Sequence, residues 1–187
     1  MMRLSPIRCS RKRTTHCWDT SVKNDRMSAS RMKFTFLLTM PTISASSASC
    51  WLRPGRNPYE NPRKSSSWIA LSTAAHISLC TSHIYTAGSE EQKQRYIPKL
   101  ASGEWIGSWA LTEPEAGSDA AAIRLRAEER GGEWILNGEK IFTSGAQDAD
   151  YVMVAARTDP KAPSKYAGIS LFLVPRESPG LTVRPIR

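Results

Sequence analysis

The stretch IGSWALTEPEAGSD, residues 106–119, is where the sequence changes from helical to strand periodicity. Its first six residues are a short apolar run, typical of a buried strand. A threonine, an acid and a proline follow, and then Gly117, Ser118 and Asp119 form a turn-like segment. Glycine lets the backbone approach a bulky anion, and serine adds a hydroxyl to the free N–H groups. The stretch is compatible with a phosphate or pyrophosphate cradle at a strand end, but these residue types by themselves favour an ordinary tight turn.

Two helices are predicted before this stretch. Apolar residues between 69 and 84 recur at helical spacing and suit a mostly buried helix beginning near Trp68. Residues 89–92, SEEQ, form a capping box, which predicts a second helix that runs through Leu100 and stops at Gly103. Pro98 lies inside this helix, so we expect a kink or an early end there.

Strand signals fill the remainder of the chain. Residues 123–129 alternate between apolar and charged side chains, and Gly131-Gly132 predicts a hairpin turn with a returning strand at 134–136. Residues 151–156 and 169–174 are strong β runs, and another strand starts at 181–186. Two helices followed by about six antiparallel strands predict an α+β fold, in which the β part is a barrel or sandwich.

The first 67 residues have a different composition. They hold 13 Lys and Arg against three acids, a net charge of +10, whereas residues 68–187 hold 13 basic and 14 acidic residues. No periodicity persists, so we expect this third to be disordered or non-native, as from a wrong reading frame or start site. An organelle transit peptide and a nucleic-acid-binding arm at residues 11–13 are the alternatives. The predicted domains are therefore 1–67, 68–104 (the end of a helical domain) and 105–187 (an incomplete β-domain).

Bulk features narrow the class of protein. Four scattered cysteines do not suit a small disulfide framework. No apolar run approaches the ~20 residues that span a bilayer, and no secretory signal is evident. We therefore expect a cytoplasmic protein that neither enters a membrane nor, in its main function, binds nucleic acid.

Four segments resemble one family. The segment WALTEPEAGSD, residues 109–119, resembles the flavin-binding signature of the acyl-CoA dehydrogenases. Residues 74–104, AAHISLCTSHIYTAGSEEQKQRYIPKLASGE, look like the last helices of that family's N-terminal domain. Residues 134–160 and 168–183 resemble its β-domain. With consistent order and spacing, the resemblance covers residues 68–187.

The resemblance implies FAD as cofactor and assigns roles to two segments. In the first, the backbone and the Thr112 hydroxyl meet the flavin ring and Gly117 approaches the pyrophosphate. Ser118 also matches a position near the acyl substrate. In the second, Phe142 packs against the ring and Ser144 lies near flavin N5, a role that a one-residue gap would move to Thr143. The implied cofactor residues are Trp109, Ala110, Leu111, Thr112, Gly117, Ser118, Phe142, Thr143 and Ser144.

The implied reaction is the α,β-dehydrogenation of an acyl-CoA thioester to trans-2-enoyl-CoA, with electrons passed to an electron-transfer flavoprotein. Complete relatives are typically tetramers, and their catalytic base lies in a C-terminal helical domain. Since the sequence stops at Arg187, we expect a truncated, inactive chain of poor solubility. The alternatives are a remnant that binds flavin weakly, an acyl-CoA oxidase or flavin monooxygenase of the same fold, and, distantly, a nucleic-acid-binding protein.

Two further groups are given no site role. His76, Cys80 and His83 share a helix face at spacings that permit a metal site, but a fourth ligand is lacking and the resemblance makes this a packing helix. Lys161, Lys165 and the nearby Arg157 could meet phosphates of coenzyme A, although surface basic residues on a β-loop have this pattern by default.

Overall fold

Helix α1 contains a π-helical segment. In the computed structural model, which describes residues 1–10 and 71–185, α1 is helical from residue 71, passes through the π-helical segment Ala75–Thr81 and ends as the α-helical segment Ser82–Ala87. A π-turn closes at i→i+5 spacing and therefore shifts the buried face. Cys80 and Ile84 are buried, whereas Leu71 and Leu79 are 54% and 38% exposed. The helix is thus less buried than its apolar residues predict.

Helix α2, Glu90–Ala101, follows the local signals in its sequence. The Ser89 backbone N–H donates to Gln92 Oε1 at 2.7 Å, and the Gln92 N–H donates to Ser89 Oγ at 3.3 Å, which confirms the capping box. Gly103 has φ 70° and its N–H donates to the Leu100 carbonyl, so the helix stops where predicted. The early end expected at Pro98 does not occur, and the Pro98 carbonyl still accepts from Ser102 N–H at 3.0 Å.

Seven described strands form one sheet. They are β1 (Met2–Ser10), β2 (Gly107–Ala110), β3 (Arg126–Arg130), β4 (Glu133–Lys140), β5 (Tyr151–Arg157), β6 (Ile169–Pro175) and β7 (Leu181–Val183). The order is β2-β5-β3-β4-β1-β7, and β6 lies outside this order and pairs with β5. The α+β class is confirmed, and the sheet curls into a half-barrel.

The sheet is mixed rather than wholly antiparallel. Strand β2 runs parallel to β5, from the pair Gly107↔Tyr151 to the pair Ala110↔Val154. Strand β3 also meets β5 in parallel, through Arg126 and Arg157. The prediction of antiparallel strands is therefore wrong for these two pairings. Strand direction depends on the route of the connecting chain, which the alternation of side chains does not encode.

The β3–β4 hairpin agrees with its sequence. Gly131 and Gly132 have φ values of 62° and 82°, the left-handed conformations that a tight hairpin turn needs. Ile123, Leu125 and Ala127 are all buried, as their alternation predicts, although β3 itself begins only at Arg126. Strand β4 extends to Lys140, four residues beyond the predicted strand.

Strand β1 was not predicted from the sequence. Met2, Leu4 and Ile7 are each 1% exposed and pack in the main core of the sheet. The register with β4 shifts between Leu4 and Ile7, so the inward positions change from even to odd numbers and the alternation is broken. The other features expected of residues 1–67, including the basic triplet 11–13, lie outside the described residues.

Helices and sheet meet closely beside β2. Cys80, Ile84 and Leu100 pack with Tyr151, Met153 and Leu173 in a second core cluster. A Cβ on Gly107 would lie 2.4 Å from Cys80 Sγ, so only glycine allows β2 to approach α1 this closely. Burial raises the pKa of the Cys80 thiol to about 12, which leaves it protonated and unreactive. Within the described residues, no helix is both long and apolar enough to cross a membrane.

Candidate functional site

Segment 1, residues 111–119, leaves the end of β2 and turns back at once. Glu113 and Ala116 exchange two backbone hydrogen bonds, of 3.0 and 3.2 Å, which close a tight turn around Pro114 and Glu115. Gly117, Ser118 and Asp119 follow this turn and are exposed. The hydrogen-bonded turn therefore lies at residues 113–116, just before the predicted turn at residues 117–119, and Gly117 and Ser118 are exposed beyond it.

Segment 2, residues 141–144, leaves the end of β4 and lies against segment 1. The Ile141 backbone N–H donates to the Thr112 carbonyl at 2.9 Å. Ser108 on β2 is fully buried, and its hydroxyl donates to the Ser144 carbonyl at 2.7 Å. These two bonds join stretches that are about 30 residues apart in the sequence, and they place Thr112 beside the backbone that leads into Phe142.

A buried ion pair lies at the junction of the two segments. Lys140 Nζ donates to Glu113 Oε1 at 2.8 Å and to the Leu111 carbonyl at 2.9 Å. The exposed fractions of the two side chains are 0% for Lys140 and 7% for Glu113. Burial lowers the pKa of the Lys140 ammonium, and the hydrogen bond and the negative charge of Glu113 act in the opposite direction.

Glu113 also holds the chain that follows segment 1. Its Oε2 accepts from the Arg124 backbone N–H at 2.6 Å, and its Oε1 accepts from the Leu125 N–H at 2.9 Å. One carboxylate therefore ties segment 1 to the backbone of residues 124–125 and, through Lys140, to strand β4.

Phe142 combines exposure with an unusual backbone conformation. Its side chain is 67% exposed, and it is the one non-glycine residue of the described chain with a positive φ, at 56°. Exposed apolar surface and backbone strain in a single residue are features of ligand sites. The next residue, Thr143, has a buried Oγ1 without a hydrogen-bond partner among the described residues. An aromatic face and a hydroxyl with free hydrogen-bonding capacity are thus adjacent in segment 2.

The outer part of segment 1 is open. A Cβ built on Gly117 has no heavy atom within 4 Å, and Gly117 does not have a positive φ. The fold therefore does not require glycine here for either space or conformation. Asp119 forms a surface ion pair with Lys165, with the Nζ–Oδ2 distance 3.0 Å. The hydrogen bond from Lys165 to Asp119 raises the pKa of that lysine.

Helix α1 supports β2 through two histidines. His76 is buried, its Nδ1 accepts from the Gly107 N–H at 2.9 Å, and its Nε2 lies 3.0 Å from the Leu100 carbonyl. These partners assign a neutral ring with its proton on Nε2. The His83 ring stacks on Trp109, with the centroids 4.6 Å apart. Burial lowers the pKa of both imidazoles. Both histidines therefore serve packing and positioning, which is the role that the packing-helix interpretation gave them.

The sequence-predicted site residues fall into two groups. Thr112, Phe142, Thr143 and Ser144 are brought together at the junction, and Gly117 and Ser118 extend from it on the open turn. Ala110 is fully buried in the main core, and the Leu111 side chain packs against a small apolar cluster, so these two offer backbone atoms rather than side chains. Trp109 is half-buried beneath His83.

Lys140 was missed by the sequence analysis, although a signal for it existed. Trp134, Leu136 and Lys140 lie on the inward face of β4, and all three are buried. A lysine at an inward-facing strand position needs a buried partner of opposite charge. The alternation could therefore have identified Lys140 as a structural or functional residue, but it could not have named Glu113 as the partner.

The fold defines the class of protein as a half-barrel β-domain with helices packed beside strand β2. The family described as acyl-CoA dehydrogenase, middle domain, matches residues 108–187, and the family's N-terminal domain matches residues 60–104. Together these matches cover more than half of the sequence. The chain belongs to the acyl-CoA dehydrogenase family.

Relatives with known names agree with this assignment. The chain is 42% identical over 123 residues to the mitochondrial isovaleryl-CoA dehydrogenase of Pongo abelii, a match that covers 66% of this chain and 29% of that protein. It is 40% identical to the glutaryl-CoA dehydrogenase of Desulfococcus multivorans, covering 65% of this chain and 31% of that protein. The chain thus spans less than a third of the length of these relatives.

A solved structure gives the same fold. The glutaryl-CoA dehydrogenase of Mycobacterium smegmatis, in complex with FADH2, superposes with a TM-score of 0.58 and 41% identity. The superposition covers 65% of this chain and 30% of that one.

The residues of the site fit a flavin. The exposed Phe142 offers an aromatic face, and the buried Thr143 hydroxyl has hydrogen-bonding capacity to spare. The space around Gly117 leaves room for a bulky anionic group at the exposed turn. These three features match the ring and the pyrophosphate of FAD in chemical character.

Proposed function

We propose that this chain supplies the flavin-positioning part of an FAD-dependent acyl-CoA dehydrogenase, which converts an acyl-CoA thioester to trans-2-enoyl-CoA. The observation that carries the proposal is the hydrogen bond from Ile141 N–H to the Thr112 carbonyl. It brings the two segments that resemble the family's flavin-binding segments side by side, although 28 residues lie between Thr112 and Ile141 in the sequence.

The residues of the chain bind and orient the cofactor. Phe142 packs its ring against the flavin, and the hydroxyls of Thr112 and of Thr143 or Ser144 hydrogen-bond to the ring edge. Gly117 and Ser118 offer backbone N–H groups and a hydroxyl to the pyrophosphate. When bound, FAD supplies the acceptor for the hydride that leaves Cβ of the substrate. Rigid placement of the ring by these groups determines whether Cβ meets the reactive atom.

We assign the base that removes the α-proton to none of the described carboxylates. Glu113 is held by Lys140 and by two backbone N–H groups, so it has no freedom to take a proton from a substrate. Asp119 pairs with Lys165 on the surface. In this proposal the described residues bind FAD but do not supply the base, so the complete reaction needs a carboxylate from outside them.

The proposal extends to substrate and partners. The acyl-CoA lies beside Ser118, and an electron-transfer flavoprotein takes the electrons from the reduced flavin. The working form is a homotetramer in the cytoplasm, without a nucleic acid or membrane partner in its main function.

The sharpest test uses Gly117, where an added Cβ touches nothing in the folded chain. Gly117→Ala should leave the melting temperature unchanged but weaken FAD binding about tenfold or more, because a methyl group keeps the backbone away from the pyrophosphate. FAD affinity is measured by quenching of flavin fluorescence during titration. Ala122→Gly, at an exposed residue outside both segments, is the control and should retain wild-type affinity. Equal FAD affinity for Gly117→Ala and wild type would contradict the proposed pyrophosphate contact.

A second experiment tests whether the chain binds FAD without carrying out the dehydrogenation. The FAD-loaded chain is mixed anaerobically with isovaleryl-CoA, and the flavin absorbance is followed. We expect no bleaching by the acyl-CoA but full bleaching by dithionite. Bleaching by isovaleryl-CoA would show that a base is present within these 187 residues and would refute the inactivity of the chain.

A further inference from the structure

The ion pair Glu113–Lys140 links segment 1 to the end of β4, and Glu113 also binds the backbone N–H groups of Arg124 and Leu125. Lys140 Nζ binds the Leu111 carbonyl and Glu113 Oε1, so it holds segment 1 at two points. Lys140 is also the residue immediately before segment 2. If the end of β4 and segment 2 moved relative to segment 1, Lys140 would therefore lose both contacts at once.

Stability alone does not account for a buried pair of this kind. Removing two charges from water has a cost that mutual attraction offsets only in good geometry, and apolar residues of similar volume often stabilise a protein as well. A pair of charges differs from apolar packing in being directional. Each lysine hydrogen bond fixes the position of a specific oxygen atom, whereas apolar contacts allow sliding.

We propose that Glu113 and Lys140 are positioning residues of the flavin site. They hold segment 1 and segment 2 in a single register, so that Thr112 and Phe142 face the same flavin ring. The inference rests on the proposed function for its consequence in cofactor binding. Its structural half concerns the chain alone and can be tested without flavin.

The first arm of the test measures backbone hydrogen exchange in the full chain without FAD. The Ile141 amide reports the contact between the segments because it donates to the Thr112 carbonyl. In Lys140→Met, the Ile141 amide should exchange at least about tenfold faster relative to the amides of β5, since the lost contacts are charged hydrogen bonds. In the control Leu136→Ala, at a buried position of the same strand, Ile141 and β5 should lose protection together.

The second arm measures FAD affinity and stability in the same variants and in Glu113→Gln/Lys140→Met. The double variant leaves no unpaired buried charge, so its melting temperature should recover towards wild type. Its FAD affinity should remain about tenfold or more below wild type, because the Leu111 carbonyl is no longer held. Leu136→Ala, measured well below its melting temperature, should bind FAD within about twofold of wild type.

The outcomes distinguish a failure of the positioning role of Glu113 and Lys140 from a failure of the proposed function. If FAD affinity follows the melting temperature through all the variants, the pair is a stability element and the positioning role is refuted. If wild type binds no FAD, the proposed function fails for this chain, and the exchange arm alone decides whether the pair sets the register. If Lys140→Met does not fold, Glu113→Gln is used instead, and unchanged exchange of Ile141 relative to β5 would overturn the inference.

Discussion

Three described ion pairs join segment 1 to other parts of the chain, and two of them, Glu113–Lys140 and Asp119–Lys165, differ mainly in their exposure to water. Lys140 and Glu113 are 0% and 7% exposed, whereas Lys165 and Asp119 are 54% and 52% exposed. Distances are similar, at 2.8 and 3.0 Å. The buried pair also binds backbone groups on two pieces of chain, residue 111 and residues 124–125, while the exposed pair joins two side chains at the edge of the site.

The comparison shows that an ion pair acquires a structural role from its surroundings. In water, two charges at this distance attract weakly and are screened by salt. In the interior, each charge is costly to leave unpaired, so the partner and the geometry become obligatory. We therefore regard the inner part of the site, around Glu113 and Lys140, as rigid, and the outer part, around Asp119 and Lys165, as adjustable.

The largest effect is expected at the inner pair. Lys140→Met should lower the free energy of unfolding by about 3–5 kcal/mol, because it leaves the Glu113 carboxylate buried without its counter-charge. Urea denaturation followed by tryptophan fluorescence measures the change. A decrease in the free energy of unfolding of less than about 1 kcal/mol would remove the distinction between the inner and outer pairs, because exposed ion pairs already contribute that much.

The outer part of the site contains one position that should also be sensitive. Gly168 has φ +71°, and a Cβ there would lie 2.2 Å from the Asp159 carbonyl oxygen. Gly168→Ala should lower the free energy of unfolding by about 2–4 kcal/mol, since a left-handed alanine and a backbone clash both contribute. Gly131→Ala is the matched control, with φ +62° but no atom within 4 Å of the added Cβ. Equal losses in the two variants would show that the clash relaxes without cost.

Helix α1 supports the inner part of the site through His76 and His83. We therefore expect the stability of the protein to depend on pH. The folded pKa of His76 and His83 lies below the ordinary value of 6.5, chiefly through burial. Below pH 6.5 the unfolded chain therefore binds protons that the folded chain does not. Stability falls as the pH decreases from 6.5 to the folded pKa, by at most about 1.4 kcal/mol per pH unit for each histidine.

The contribution of His76 is isolated by comparing wild type with His76→Gln between pH 7.5 and 5.5. Thermal melts should show a smaller loss of stability on acidification in the variant than in wild type. An identical pH dependence in the two proteins would mean that His76 takes up a proton as readily in the folded as in the unfolded chain, despite the hydrogen bond from Gly107 N–H to its Nδ1.

The smallest effect is expected at the outer pair. Lys165→Ala should leave the melting temperature unchanged at physiological salt, because an exposed pair is screened and its side chains lose entropy on pairing. Differential scanning calorimetry of wild type and variant checks this. A loss comparable with that of Lys140→Met would refute the idea that burial, rather than charge, distinguishes the two pairs.

Features with a local cause could be predicted from the sequence. The capping box at Ser89, the helix stop at Gly103 and the hairpin at Gly131 each depend on residues within about four positions of one another. The alternation through Ile123, Leu125 and Ala127 identified the buried face for the same reason. The segments of the candidate site were also identified, because their resemblance to the family lies in short continuous stretches.

Features that depend on distant contacts could not be predicted from the sequence. Strand β1 was missed because the shift between Leu4 and Ile7 breaks its alternation, and only the paired strands show that both residues face the core. The parallel pairing of β2 with β5 depends on the path of about 40 intervening residues. The positive charge of Lys140 and its place on the inward face of β4 could be read from the sequence, but its partner Glu113 could not.

The sequence by itself determined the capped helix α2, the β3–β4 hairpin and which two segments resemble the flavin-binding parts of an acyl-CoA dehydrogenase. Only the tertiary structure decided that these segments meet, with Ile141 bonded to Thr112 and Lys140 to Glu113. The physical reason is the range of the interactions. Capping, turns and amphipathic faces are set by neighbours in the chain, whereas a buried charge finds its partner only after the sheet has brought residues 27 positions apart into contact.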